Sequence, residues 1–157
     1  MAVMQEGYLM ALSHTGKKEG AAMSAEDNKA TLRRMIAAFN NRDLAFIDEG
    51  FSPHFVLHTA LTPGWPQGLE GARKMFTAMF ATAPDVQGTM EDMVAEGEKV
   101  AVRWTFRGTH IGESPLTGAP TGAPFTLVAM SLYRFVNGKI EEDWGVDAQW
   151  QAGDVWE

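Results

Sequence analysis

A chain of 157 residues, 45% of them apolar and 21% charged, is long enough for one packed core and too short for two ordinary domains. A formal charge of -7, with no basic run beyond Lys17-Lys18 and Arg33-Arg34, removes the positive footprint that nucleic-acid binding needs, and no apolar run approaches the ~20 residues of a membrane helix. Zero cysteine excludes disulfides, thiolate metal ligands and cysteine nucleophiles, and makes a reducing, cytoplasmic setting the expected one.

The chain opens with Glu6 ahead of a short apolar patch and Lys17-Lys18 behind it, the reverse of a secretory signal; residues 1–23 are expected to be a disordered tail before one domain over 24–157. Ser24 followed by Asp27 forms a capping-box-like start, and Leu32, Met35, Ile36 and Phe39 then recur at helical spacing, so a first amphipathic helix is predicted up to Asn40-Asn41. Asp43 is expected to cap a short second helix carrying Leu44, Ile47 and Phe51, stopped at Gly50. Beyond Pro53, His54 to Thr59 reads as a short strand, and TPGWPQG as a loop. Ala72, Met75, Phe76, Met79 and Phe80 give one apolar face to a third helix from Leu69 to Ala83, ended by Pro84.

The period then changes from 3.6 to 2, the mark of helices giving way to strands in an α+β fold. Val86–Glu96 and Lys99–Thr109 flank Gly97-Glu98 as one hairpin; Pro124–Val136 and Lys139–Asp147 flank Asn137-Gly138, which suits a type I′ turn, as another. Between the hairpins, His110 to Ala123 is a Gly- and Pro-rich loop.

The ordered pieces PDVQGTMEDMVAEGEKVAVRWTFRGTHIG and LYRFVNGKIEEDW, with three helices before a sheet, resemble the SnoaL-like polyketide cyclases of the nuclear-transport-factor-2-like superfamily over roughly Asp27 to Asp147. That resemblance implies a cone-shaped, curved, antiparallel (mixed) sheet packed on three N-terminal helices, a cavity between them, a homodimer, and no metal or organic cofactor. It also implies an acid/base Asp directly after the tryptophan of GKI-x-E-x-W, for an intramolecular aldol closure, and polar side chains three and five residues before the arginine of YRF. Those positions here are Gly145, Ser131 and Ala129.

Strand alternation puts Asp143 and Asp147 on the face of Gly145. Asp147 is therefore the candidate base, or else a solvated charge at the strand end; Asp143, beside Glu141 and Glu142, reads as a surface charge. The resemblance directs His58, in FVLH, at the cavity, where it would bond a substrate oxygen; the alternative is a buried neutral histidine. His54 is expected in solvent, and His110 at a pocket mouth or bracing a turn. Trp65, Phe76, Met79, Phe80, Trp104 and Met130 are candidate cavity walls, with Ser131 and Tyr133 as polar contacts, though most large aromatics are packing first. Arg103, on the strand face opposite Trp104, would meet an anionic ligand or a neighbouring carboxylate. Four histidines without metal-ligand spacing give no metal site, GLEGARK reads as a helix start and not a phosphate loop, and no nucleophile elbow is present. Two functions stay open: a cofactor-independent cyclase or isomerase acting on a small apolar or carbonyl-containing molecule, with Asp147 as base and His58 or Tyr133 stabilising the enolate, or a non-catalytic binding protein that has lost the acid/base group.

Overall fold

The computed structural model describes residues 23–59, 64–113 and 118–150, the last four of these by backbone alone. The expected tail, apart from Met23, and the residues after Trp150 lie outside the described residues.

Helix α1 (Ala25–Asn40) begins at the predicted capping box: Asp27 N–H donates to Ser24 Oγ at 3.1 Å, and Ser24 N–H to the Asp27 carboxylate at 3.0 Å. Its buried stripe is Asn28, Thr31, Leu32, Met35 and Phe39. Where α1 ends, Arg42 takes a positive φ of 61° and reaches across the fold, donating to the carbonyls of Phe39, Pro84 and Val86 while its guanidinium lies 4.7 Å from the Phe80 ring centre. Helix α2 (Phe46–Gly50) follows. Asp43 does not cap it; its carboxylate accepts from Ala45 N–H at 2.9 Å, closing the turn before the helix.

Strand β1 (Phe51–His58) starts three residues earlier than predicted, with Phe51 in the strand and not on α2, and with Pro53 inside it. Proline is tolerated because β1 is an edge strand whose register shifts between Phe51 and Val56, so no ladder bond is missed. Helix α3 (Gly68–Thr82) starts within GLEG as read. Gly71 is required there, since a Cβ would stand 2.1 Å from the Pro66 carbonyl oxygen.

Strands β2 (Gln87–Glu96), β3 (Lys99–Thr109), β4 (Pro124–Val136) and β5 (Lys139–Trp150) complete a mixed sheet in the order β1-β5-β4-β3-β2. All its pairs are antiparallel except β1 with β5. Asn137 (φ 51°) and Gly138 (φ 76°) make the predicted tight turn. The loop between β3 and β4 is pinned by His110 N–H donating to the Ala123 carbonyl at 3.0 Å.

One face of the sheet, here the inner face, packs on the helices through aromatic contacts: Phe39 with Phe106 (5.6 Å) and Phe76 (5.5 Å), and Phe76 with Phe51 (5.8 Å). Each such fully buried ring contributes on the order of 1.5–3 kcal/mol. The outer face leaves Val94, Met130, Leu132, Trp144 and Val146 exposed.

Candidate functional site

Alternation along β4 turns Ala129, Ser131, Tyr133 and Phe135 inward and Met130 and Leu132 outward. β5 lies beside it with Asp143 opposite Tyr133, Gly145 opposite Ser131 and Asp147 opposite Ala129, while β3 sets Val102 opposite Ser131 and Trp104 opposite Ala129. β1 adds Leu57 next to Asp143. The three positions where the resemblance implies larger polar side chains are thus neighbours, and together they leave a notch in the inner face.

Asp143 is not a surface charge: it is 6% exposed and stands at the edge of that notch. The cause is a bulge. Arg134 pairs with Glu142 but Phe135 pairs with Ile140, so Glu141 is an extra residue and the alternation resets, turning both Ile140 and Asp143 inward and Glu142 outward. A strict two-residue period from Ile140 would have exposed Asp143. Bulges carry no reliable sequence signal, although the crowding of Glu141, Glu142 and Asp143 before Trp144 is where one would be sought.

Gly145 marks the notch floor. A Cβ built there would lie 3.6 Å from Ser131 Oγ and 3.8 Å from Asp143 Oδ1, ordinary contact distances, so a side-chain methyl at residue 145 would fit between hydroxyl and carboxylate. Trp104 is buried beside this space, stacked on Phe106 (6.0 Å) and edge-on to Tyr133 (6.3 Å). Its Nε1–H has no hydrogen-bond partner among the described residues. A buried unsatisfied donor costs about 1–3 kcal/mol.

The remaining sequence candidates separate. His58 does not enter the cavity: it pairs in register with Trp144, its ring stacks on that indole at 4.6 Å, and its Nε2 meets Glu142 Oε1 at 3.0 Å on the outer face. Two-residue alternation from Phe55, which is buried, turns His58 outward. Glu142 also pairs with Arg134, and the hydrogen bond from Arg134, then that from His58, holds its carboxyl below the usual range. Met130 likewise lies on the outer face, 47% exposed, and is no cavity wall in this chain. Tyr133 is buried on the inner face and is not at a rim. Phe76 is core, and Met79 and Phe80 pack against it. His54 is exposed, His110 is buried with its ring 3.4 Å from Thr121 Oγ1, and Arg103 meets Asp92 of β2 at 2.6 Å.

Trp65 lines a pocket of about 190 Å³ with Leu57, Thr59, Gly64, Pro66 and Gly71, and Lys74 Nζ sits 4.9 Å from its ring centre. Leu57 belongs both to this pocket and, through its pairing with Asp143, to the inner-face patch, so the two are adjacent. The backbone of Asp147 occupies an inner-face position opposite Ala129, inside β5 and not at its end, since the strand continues to Trp150. Among the described residues no group of three or more His, Asp or Glu is placed to hold a metal ion, and no helix is long and apolar enough to cross a membrane.

A family model described as SnoaL-like polyketide cyclase matches residues 29–151. Among solved structures, IdmH of Streptomyces antibioticus, a proposed polyketide cyclase, is 31% identical with a TM-score of 0.64, over 76% of this chain and 91% of that one. AclR of Streptomyces galilaeus, a proposed hydroxylase, is 30% identical with a TM-score of 0.66, over 79% and 80%. TsrD of Streptomyces laurentii, at 24% identity, shares the fold with a TM-score of 0.71 over 80% and 90%. No curated protein matches the sequence.

Proposed function

The chain belongs to the SnoaL-like polyketide cyclase family, and on that premise we propose that it is a cofactor-independent cyclase or isomerase that removes a proton from the carbon beside a carbonyl of a small, largely apolar substrate. The observation that carries this reading is the buried Asp143 carboxylate on the inner face, beside the small side chains of Gly145, Ser131 and Ala129. A carboxylate held on the inner face, out of bulk water, is placed to act as a general base on a substrate seated against that face.

In the cyclase version Asp143 takes the α-proton, the enolate carbon attacks a second carbonyl of the same molecule, and the resulting alkoxide recovers the proton from Asp143. One C–H bond and the π bond of the second carbonyl break, one C–C bond and one O–H bond form, and no oxidant is needed. In the isomerase version the proton returns to another carbon. Tyr133, opposite Asp143, serves as a substrate contact, Trp104 as cavity wall, and Trp65 guards the approach from the adjoining pocket. Asp147, two residues along the same strand face, is the other candidate base. His58 has no part in this chemistry because it lies on the other side of the sheet. The exposed apolar outer face supports a homodimer formed through it.

The test is α-proton exchange of acetophenone in D₂O, followed by proton NMR. Asp143→Asn is expected to lower the exchange rate by about 10²–10⁴-fold, the usual contribution of a positioned base. Exchange unaffected by Asp143→Asn and lost in Asp147→Asn would move the base to Asp147. A second reading, a non-catalytic binding protein, is favoured by the small residues at 129, 131 and 145; ligand binding by a wild type that exchanges no protons would establish it.

A further inference from the structure

We propose that the Trp104 indole N–H, joined by the Ser131 hydroxyl, is the donor pair that receives the carbonyl oxygen of the ligand. This rests on reading the Gly145 notch as the ligand's seat, and it supplies the electrophilic half of the site that His58 leaves empty.

Three observations converge. Trp104 Nε1 is buried and unpartnered among the described residues, although a buried indole usually finds an acceptor. The cross-strand neighbour of Trp104 is Ala129, whose side chain ends at Cβ and offers no acceptor, so that position supplies no partner to the indole. Ser131 is diagonal to Trp104 on the same inner face, about 7–8 Å away by the geometry of antiparallel sheets, and its Oγ and the Asp143 carboxylate flank Gly145, 3.6 Å and 3.8 Å from where a Cβ on that residue would stand. A carbonyl ligand seated over Gly145 would have its oxygen on the Ser131 and Trp104 side and its α-carbon on the Asp143 side. Donors aimed at the oxygen on one side and a base at the proton on the other are the two halves of an enolising site.

Phe106 and Tyr133 brace the indole ring, so its N–H direction is set before the ligand arrives. Preorganised donors of this kind favour an enolate over a neutral ketone, because the charge develops on the oxygen they face. The site therefore selects ligands with a hydrogen-bond acceptor oxygen beside the reacting carbon, and an oxygen-free hydrocarbon of equal size gains nothing from Trp104.

The probes are 2-naphthol, an enol mimic, and naphthalene, its oxygen-free counterpart, with binding followed on the ¹⁵N-indole resonances; the Trp104 peak is identified as the one absent in Trp104→Phe. In the wild type, 2-naphthol is expected to move the Trp104 peak downfield and naphthalene to leave it. Trp104→Phe keeps an aromatic ring and removes the donor. It should weaken 2-naphthol about tenfold and leave naphthalene unchanged, with binding compared at a temperature where both proteins are folded because the smaller ring leaves a gap in the core. Ser131→Ala should weaken 2-naphthol by a similar factor and serves as the second variant if Trp104→Phe folds poorly. A Trp104 peak that ignores 2-naphthol at millimolar concentration, or equal loss of both probes in the two variants, overturns the donor pair. These measurements need no turnover, so a protein that binds as described but exchanges no acetophenone protons keeps the donor pair and loses the enzymatic reading.

Discussion

Gly145→Ala should raise stability and lower activity together. In this chain Gly145 is a strand residue outside the positive-φ glycines, so the extra methyl meets no backbone penalty. The Cβ it adds would find its nearest atoms at 3.6 Å and 3.8 Å, which is contact without overlap. The stabilisation is then the ordinary gain of replacing glycine inside a strand, about 0.5–1 kcal/mol from the smaller entropy of the unfolded chain. For a domain of this size that corresponds to roughly 1–4 °C in Tm. The same methyl projects from residue 145 between Ser131 and Asp143, displacing a substrate seated over Gly145 from the carboxylate, and a misplacement on the order of 1 Å costs about 100-fold in rate. Differential scanning calorimetry and acetophenone exchange on the same preparation measure both effects. A fall in Tm would show that the notch is not open, and unchanged exchange with a raised Tm would show that the substrate does not sit above residue 145.

Glu142→Gln should lower the urea midpoint at neutral pH. Because Arg134 and then His58 hold the folded-state pKa of Glu142 below its unfolded value, the carboxylate contributes stability that is present above about pH 4.3 and is lost as pH falls through the lower folded value. The gap between wild type and variant should therefore narrow from pH 7 to pH 3, and a constant gap would mean that the pair with Arg134 adds nothing. Val146→Glu places a charge on an outer-face residue that is 71% exposed. The wild type should sediment as a dimer and the variant as a monomer at micromolar concentration, and a monomeric wild type would remove the sheet-face dimer.

The periodic elements were legible because their signals are local. Ser24 and Asp27 close the start of α1 through atoms three residues apart, the Leu32-Met35-Phe39 spacing assigns its buried side, and Asn137-Gly138 needs nothing beyond its own backbone preference to turn β4 into β5. The family was legible too, since EGEKVAVRW, GTH and YRFVNGKIEEDW keep their order in this chain. The site was only half legible. Alternation put Asp143 and Asp147 on the face of Gly145, but beside Glu141 and Glu142 the first read as a surface charge; that Ile140 and Asp143 both turn inward depended on a bulge at Glu141, and a bulge arises from how two strands settle against each other and not from either strand alone. His58 and Met130 failed for the same reason, because inward and outward are defined only once the register with β5 and the position of the helices are fixed. The unpartnered Trp104 N–H lies furthest from the sequence: a tryptophan always carries the donor, and only the packed neighbourhood, with alanine opposite it, determines that nothing in the described fold accepts it.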